Sequence, residues 1–306
     1  PMTGAGSAEV AFAVEDSFGE LADVPAWIQP FENFEVGEAS LDRALRRARQ
    51  PDDPRPDGSR EGNREGALSV SGALTDTNFH DLVFPATSPV GLAQSAALAP
   101  TATWYIASED PTTQRDRFMQ GAAVESFAIN YQQGEDVTVD LTIIAGQELG
   151  GDDADAPDTP GSITQPSKED IVTHSGTSFD LNGGQLSTKL QSLTLEVSGM
   201  ARFRRGQQQE PVDAVVGAYE PTLTVTAIYE QDDQRELAYG SSAATKPADA
   251  MDESTGTLGF ENAAGTVATY NLSGLKPTTY DWSDLVSGDT DITDPTDYHV
   301  TDVQVA

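Results

Sequence analysis

The sequence predicts a mainly-β protein, a duplicated β-sandwich or barrel unit with a short helix packed on the sheet. Three observations carry this. Apolar residues alternate with period two, long heptads are absent, and three blocks of similar sequence recur in one order about 155 residues apart.

The strands follow from the alternation. In the first half, "FENFEV" (31–36), "ALSVSGAL" (67–74), "TWYIA" (103–107), "AVESFAINY" (123–131) and "DVTVDLTII" (136–144) read as strands. In the second half the strands are "LTLEVSG" (193–199), "TLTVTAIYE" (222–230), "GTLGFE" (256–261), "TVATYNL" (266–272), "TTYDW" (278–282) and "HVTDVQV" (299–305). One helix is predicted at "TDTNFHDLVF" (75–84), where Asp76 or Thr77 can cap and Phe79, Leu82 and Val83 share a face. Residues 146–176, rich in Gly, Asp, Pro and Ser without periodicity, read as a linker or long exposed loop.

The repeat pairs "LSVSGALTDTNFHDLVF" (68–84) with "LTVTAIYEQDDQRELAY" (223–239), matching Leu68 to Leu223, Val70 to Val225 and Leu82 to Leu237. A second block lays the strand ending at Tyr131 over the segment ending at Val286, with "DITDPTD" as an insertion before the last strand. A third matches Phe34-Glu35-Val36 with Leu195-Glu196-Val197. The organisation is therefore a first unit over 1–145, the acidic segment 146–176, and a second unit over 177–306.

Fifty acidic residues against seventeen basic ones give a formal net charge of -33 over 306 residues. This resembles proteins of high-salt cytoplasm, where bulk ions screen self-repulsion. The charge argues against tight binding to nucleic acid, because phosphates need a basic surface. Absence of cysteine excludes disulfides, thiolate zinc sites and cysteine nucleophiles. The opening "PMTGAGSAEVAFAVED" lacks a positive region followed by an apolar one, and no apolar run of membrane-spanning length occurs, so the expectation is a soluble protein made in the cytoplasm that does not bind membranes.

His80, His174 and His299 are scattered without ligand spacing. The aspartates at 289–297 and the "GDDADAPD" run read as solvated loops, since EF-hand spacing is not met. No nucleophile elbow or Gly-rich phosphate loop occurs. The expectation is a non-enzymatic chain with no catalytic residue, no metal site and no cofactor.

The arginines are unevenly placed. Arg43, Arg46, Arg47, Arg49, Arg55, Arg60 and Arg64 crowd into 41–66, and Arg202, Arg204 and Arg205 lie in the corresponding segment of the second unit. Ten of thirteen arginines thus sit in two equivalent loops. On an acidic body such loops are candidates for docking onto acidic faces of neighbouring copies, because Arg pairs bidentately with carboxylates.

This arrangement resembles the tail tube (major tail) proteins of long-tailed viruses, fold relatives of the type VI secretion tube protein. "AFAVEDSFGELADVPAWIQPFENFEV" is similar to the family's entry into its first strand. "EGALSVSGALTDTNFHDLVF" resembles its Gly-initiated strand and outer helix, "FAINYQQGEDVTVDLTIIAGQ" its hairpin, and "FDLNGG" with "LQSLTLEVSG" the start of a second half. The resemblance implies rings whose inner strands form an inter-subunit β-barrel, stacked into a tube through which viral DNA passes into the host without specific binding. Other tail proteins would cap the tube ends, and the chain would reside in the virion tail. The halophile-like composition points to a virus of a halophilic archaeon.

The residues support a barrel independently. Glu35, Ser69, Ser71, Thr138, Asp140, Thr142, Thr194, Glu196 and Ser198 alternate with apolar neighbours and form the expected lumen-facing set, acidic and free of Lys and Arg. Two units per chain favour rings of three chains with pseudo-sixfold symmetry; six chains are the alternative. Another ring-forming tail component, a terminator or baseplate hub, and a secreted carbohydrate-binding β-sandwich are rival readings.

Overall fold

The computed structural model describes residues 8–50, 53–92, 97–108, 115–186, 189–229, 233–240, 245–283 and 291–306. In chain order the first half holds β1 (Ala8–Ser17), β2 (Glu20–Leu21), β3 (Glu32–Gln50), β4 (Asp53–Ala73), α1 (His80–Val83), β5 (Ala86–Thr87), β6 (Val90–Gly91), β7 (Ala102–Ser108), β8 (Arg115–Gln132), β9 (Thr138–Ala145) and β10 (Gln147–Gly150). The second holds β11 (Thr177–Leu181), β12 (Gly184–Gln185), β13 (Leu190–Ser198), β14 (Ala201–Arg205), β15 (Pro211–Val216), β16 (Glu220–Ile228), α2 (Asp233–Tyr239), β17 (Ser254–Asn262), β18 (Gly265–Tyr280), β19 (Thr293–His299) and β20 (Asp302–Val305). The fold is a mainly-β sandwich.

Its main layer is an eight-stranded antiparallel sheet ordered β3-β4-β9-β8-β13-β16-β19-β18. It consists of two quartets. In each, the strands lie in the order first, second, fourth, third, and β8 joins β13 at the seam between them. Registers agree as well. Ala67 faces Ile144 and Ala73 faces Thr138, while Thr222 faces His299 and Ile228 faces Thr293, a constant offset of 155 residues on both strands.

Two sequence matches are corrected by this register. The segment "DITDPTD" is no insertion, because its residues from Thr293 onward form β19, the partner of β16. Ala39, not Phe34, occupies the place of Leu195, since Ala39 faces Leu68 as Leu195 faces Leu223. Bulges in β3, one of them between Val36 and Glu38, let Phe34 and Ala39 pack on the same core although an odd number of residues separates them, so alternation alone left the frame open.

Both long third strands turn a corner at a left-handed glycine. In β8 this is Gly121 (φ 57°), after which the strand leaves β7 and β10 for β9 and β13. In β18 it is Gly274 (φ 64°), where the strand passes from β17 and β20 to β19. A Cβ at Gly121 would stand 2.6 Å from the Phe18 ring, and one at Gly274 would stand 2.2 Å from Thr301 Oγ1, so only glycine fits.

The corner in β18 feeds a second layer ordered β5-β6-β20-β18-β17-β11-β12. Between the layers lies the principal core, in which Val139, Ile129, Leu195 and Leu223 from the main sheet share one cluster with Phe79 and Phe84 around α1 and with Leu258, Phe260 and Tyr270. A smaller core, with Trp27, Tyr105 and Phe118, lies where β1, β7 and β8 meet.

The helix is shorter than its sequence suggests. Asp76 accepts hydrogen bonds from the Asn78 backbone N–H at 2.9 Å and its Nδ2 at 2.8 Å, making a turn, and only His80–Val83 is helical. The segment aligned with it forms α2, anchored by the fully buried Gln234, which accepts from Tyr298 Oη and donates to the Asp294 carbonyl. The stretch 146–176 is mostly exposed loop, but it is tied to the body at both ends. It opens with β10, and Val172, fully buried, bonds to Leu74 and Val137 through its backbone.

Candidate assembly interface

Register turns the alternating polar residues into continuous rows across all eight main strands. One row runs Glu35, Ser71, Asp140, Ala128, Glu196, Thr222, His299, Lys276. The next holds Thr138, Asn130, Thr194, Thr224, Asp297 and Thr279. Every residue named above as lumen-facing lies on this face. Glu35, Asp140, Thr142 and Glu196 are exposed, and Ser69, Ser71, Thr138, Thr194 and Ser198 half-buried.

Side chains on this face bind one another. Thr194 Oγ1 donates to Asn130 Oδ1 at 3.1 Å and Asn130 Nδ2 to Asp140 Oδ2 at 2.6 Å, while Asp297 accepts from Thr224 and Thr279 at 2.7 and 2.6 Å. Lys276 departs from the expected absence of cations, and its Nζ pairs with Glu253 at 3.0 Å. The surface is polar and anionic, with several of its side chains bonded to one another and apolar side chains behind it.

The arginine segments form hairpins of different placement. Leu41–Gln50 of β3 and Asp53–Gly66 of β4 pair beyond the sheet as a two-stranded arm, since β9 reaches only to Gly66. At its base Arg43 faces Arg64, and further out Arg46 faces Arg60 in the backbone register. The side chains of Arg46, Arg47, Arg49, Arg55 and Arg60 lie outside the described residues.

The second hairpin, β14–β15, folds back onto the body, where Ala201 and Ala214 pack with Ala123 and Ile144. It also grips the base of the arm. Arg64 pairs with Glu210 at 3.2 Å, its backbone N–H reaches the Gln209 carbonyl, and Arg205 pairs with Glu65 while donating to the Arg64 carbonyl. Arg204 pairs with Asp213 at 2.9 Å. Arg64, Arg204 and Arg205, expected to contact neighbouring copies, thus have partners within the chain. Only the fold could reveal this, because the partners Glu65, Glu210 and Asp213 look like any other acids in the sequence.

The two edges of the main sheet are open among the described residues. β3 pairs only with β4, and Lys276–Tyr280 of β18 only with β19. Each edge exposes apolar side chains: Val36 and Leu41 on β3, Trp282 beside Tyr229 and Tyr280 just past β18. The sequence named none of these, since isolated apolar residues carry no signal until an edge groups them.

Buried ionisable groups serve the fold. The Glu15 carboxylate accepts from Gly19 N–H, Gly121 N–H and Thr103 Oγ1, each at 2.8 Å. His80 is buried against Phe79 and Phe84 and shares a 2.7 Å hydrogen bond with Tyr270 Oη; burial pulls its pKa down to about 4. Burial also raises Tyr219, to about 12. Among the described residues no group of three or more His, Asp and Glu could hold a metal ion, and no helix is long and apolar enough to cross a membrane.

These features define a class: a mainly-β protein with an acidic, polar sheet face, two open sheet edges among the described residues and an extended hairpin. A family model described as phage tail tube protein matches residues 7–300, and the chain belongs to that family, structural components of the virion tail. A search of curated proteins finds no match.

Proposed function

We propose that this chain is the tail tube subunit of a virus of a halophilic host, that it carries two tube-type units, and that three copies close a ring of six units. The observation that carries the reading is the eight-stranded sheet, built of two quartets in one order and open at both edges. A sheet with unpaired edges is an aggregation hazard unless copies pair them, and closure into a ring removes the edges. Rings then stack into a tube, self-assembly being what family membership supports.

In this reading the rows through Glu35, Asp140 and Glu196 line the lumen. Carboxylates there repel phosphates, so DNA slides through without the counterion-releasing contacts a basic wall would make. The arm at 41–66 docks neighbours through the arginines beyond its base, while the hairpin at 200–219 holds that base in place, and the chain performs no chemistry of its own. Electron microscopy of the purified protein in concentrated salt tests the proposal. Hollow rods are expected, with native mass of an isolated ring equal to three chains. A persistent monomer, or labels at cysteines replacing Glu35 and Glu196 found on the outer wall, would overturn it.

A further inference from the structure

Resting on that reading, the repeated register also specifies the seam between neighbouring chains. β8 and β18 are the third strands of their quartets, and Phe127 faces Leu141 as Tyr280 faces Thr296. Tyr280 therefore stands where Phe127 stands, and Trp282 where Ile129 stands. β3 and β13 are the first strands. Ala39 faces Leu68 as Leu195 faces Leu223, and Leu41 faces Gly66 as Val197 faces Pro221. Inside the chain β8 and β13 meet with Phe127 opposite Val197 and Ile129 opposite Leu195.

We propose that the junction between two copies repeats this seam: β18 of one chain pairs antiparallel with β3 of the next, Tyr280 opposite Leu41 and Trp282 opposite Ala39.

Three observations favour this register. Ile129 and Val197 at the internal seam are fully buried, whereas Trp282 and Leu41 are 40% and 37% exposed, as an unfilled seam of the same kind leaves them. Sizes compensate, since the larger Trp282 replaces Ile129 where the smaller Ala39 replaces Leu195, keeping the pair's combined volume near that of the packed seam. On the polar face the same register sets Asp281 opposite Ser40 and Thr279 opposite Asp42, so neither carboxylate faces another directly. The occupant of the aromatic edge is thus a second copy of this chain.

The cysteine-free sequence makes the test clean. Residues directly opposite across antiparallel strands have Cα atoms roughly 4.5–5.5 Å apart, within disulfide range. Leu41→Cys with Tyr280→Cys in one chain is expected, on mild oxidation of assembled protein, to give covalent dimers and trimers, while each single variant gives none. A second measurement uses unaltered protein. Trp27 and Trp104 are buried, so acrylamide quenching reports chiefly on Trp282, and its accessibility is expected to fall several-fold on assembly. Tubes that form without the cross-link, that cross-link instead through Val36→Cys with Tyr280→Cys, or in which Trp282 stays quenchable, would overturn this seam and leave the tube reading standing. A protein that never assembles would overturn both.

Discussion

Glu196 stands directly across from Ala128, at the seam where the two quartets of the main sheet become one. The apolar residues behind that seam belong to a single cluster spanning both halves. Denaturant is therefore expected to unfold the chain in one transition followed alike by tryptophan fluorescence and circular dichroism. Leu195→Ala, at a fully buried position, should cost about 2–5 kcal/mol without splitting it. Two separated transitions would show that the halves fold independently.

Glu15 ties the β1–β2 turn to β7 and to the glycine corner of β8. Glu15→Ala strands three donors and is expected to cost about 3 kcal/mol, whereas Glu15→Gln, which keeps one acceptor oxygen, should cost roughly half as much by chemical denaturation.

His80 makes stability depend on pH. Its folded pKa lies near 4, below the ordinary 6.5, so the unfolded chain binds the proton more readily between those values. The contribution is present in full above 6.5 and is lost as pH falls through 4, about 3 kcal/mol in all. Relative to the unaltered protein, His80→Gln should flatten the stability profile between pH 4 and 6.5 and leave other slopes unchanged. Profiles that stay parallel would refute it.

Arg46, Arg47 and Arg49 lie on the part of the arm that extends beyond the sheet. Changing all three to Glu is expected to preserve circular dichroism and thermal midpoint while abolishing tubes in negative-stain micrographs. Arg205→Ala acts differently: by releasing Glu65 and the Arg64 carbonyl it should speed hydrogen exchange at the Arg64 amide, which bonds to Gln209.

Much of this molecule is legible before folding. Period-two alternation in "VTVDLTI" and "LTLEVS" separates a dry face from a wet one, and every polar residue so selected lies on the wet face. The match of Leu68 with Leu223 is likewise kept by the cross-strand register. The missed elements have one local cause and one distant one. Asp76 diverts its segment into a turn, and α2 depends on Gln234 bonding to Tyr298 and Asp294.

The sequence by itself determined most strands of the main sheet, their two faces and the crowding of arginine, because alternation and composition are local properties of the chain, while strands such as β1, β14, β15 and β19 went unread. Only the tertiary structure decided which edges stay open, that Gly121 and Gly274 turn corresponding corners, and that Arg64 and Arg205 are held at home. Those outcomes depend on which distant strands meet and in what register, and backbone hydrogen bonds, identical for every residue, leave no mark of that choice in the order of amino acids.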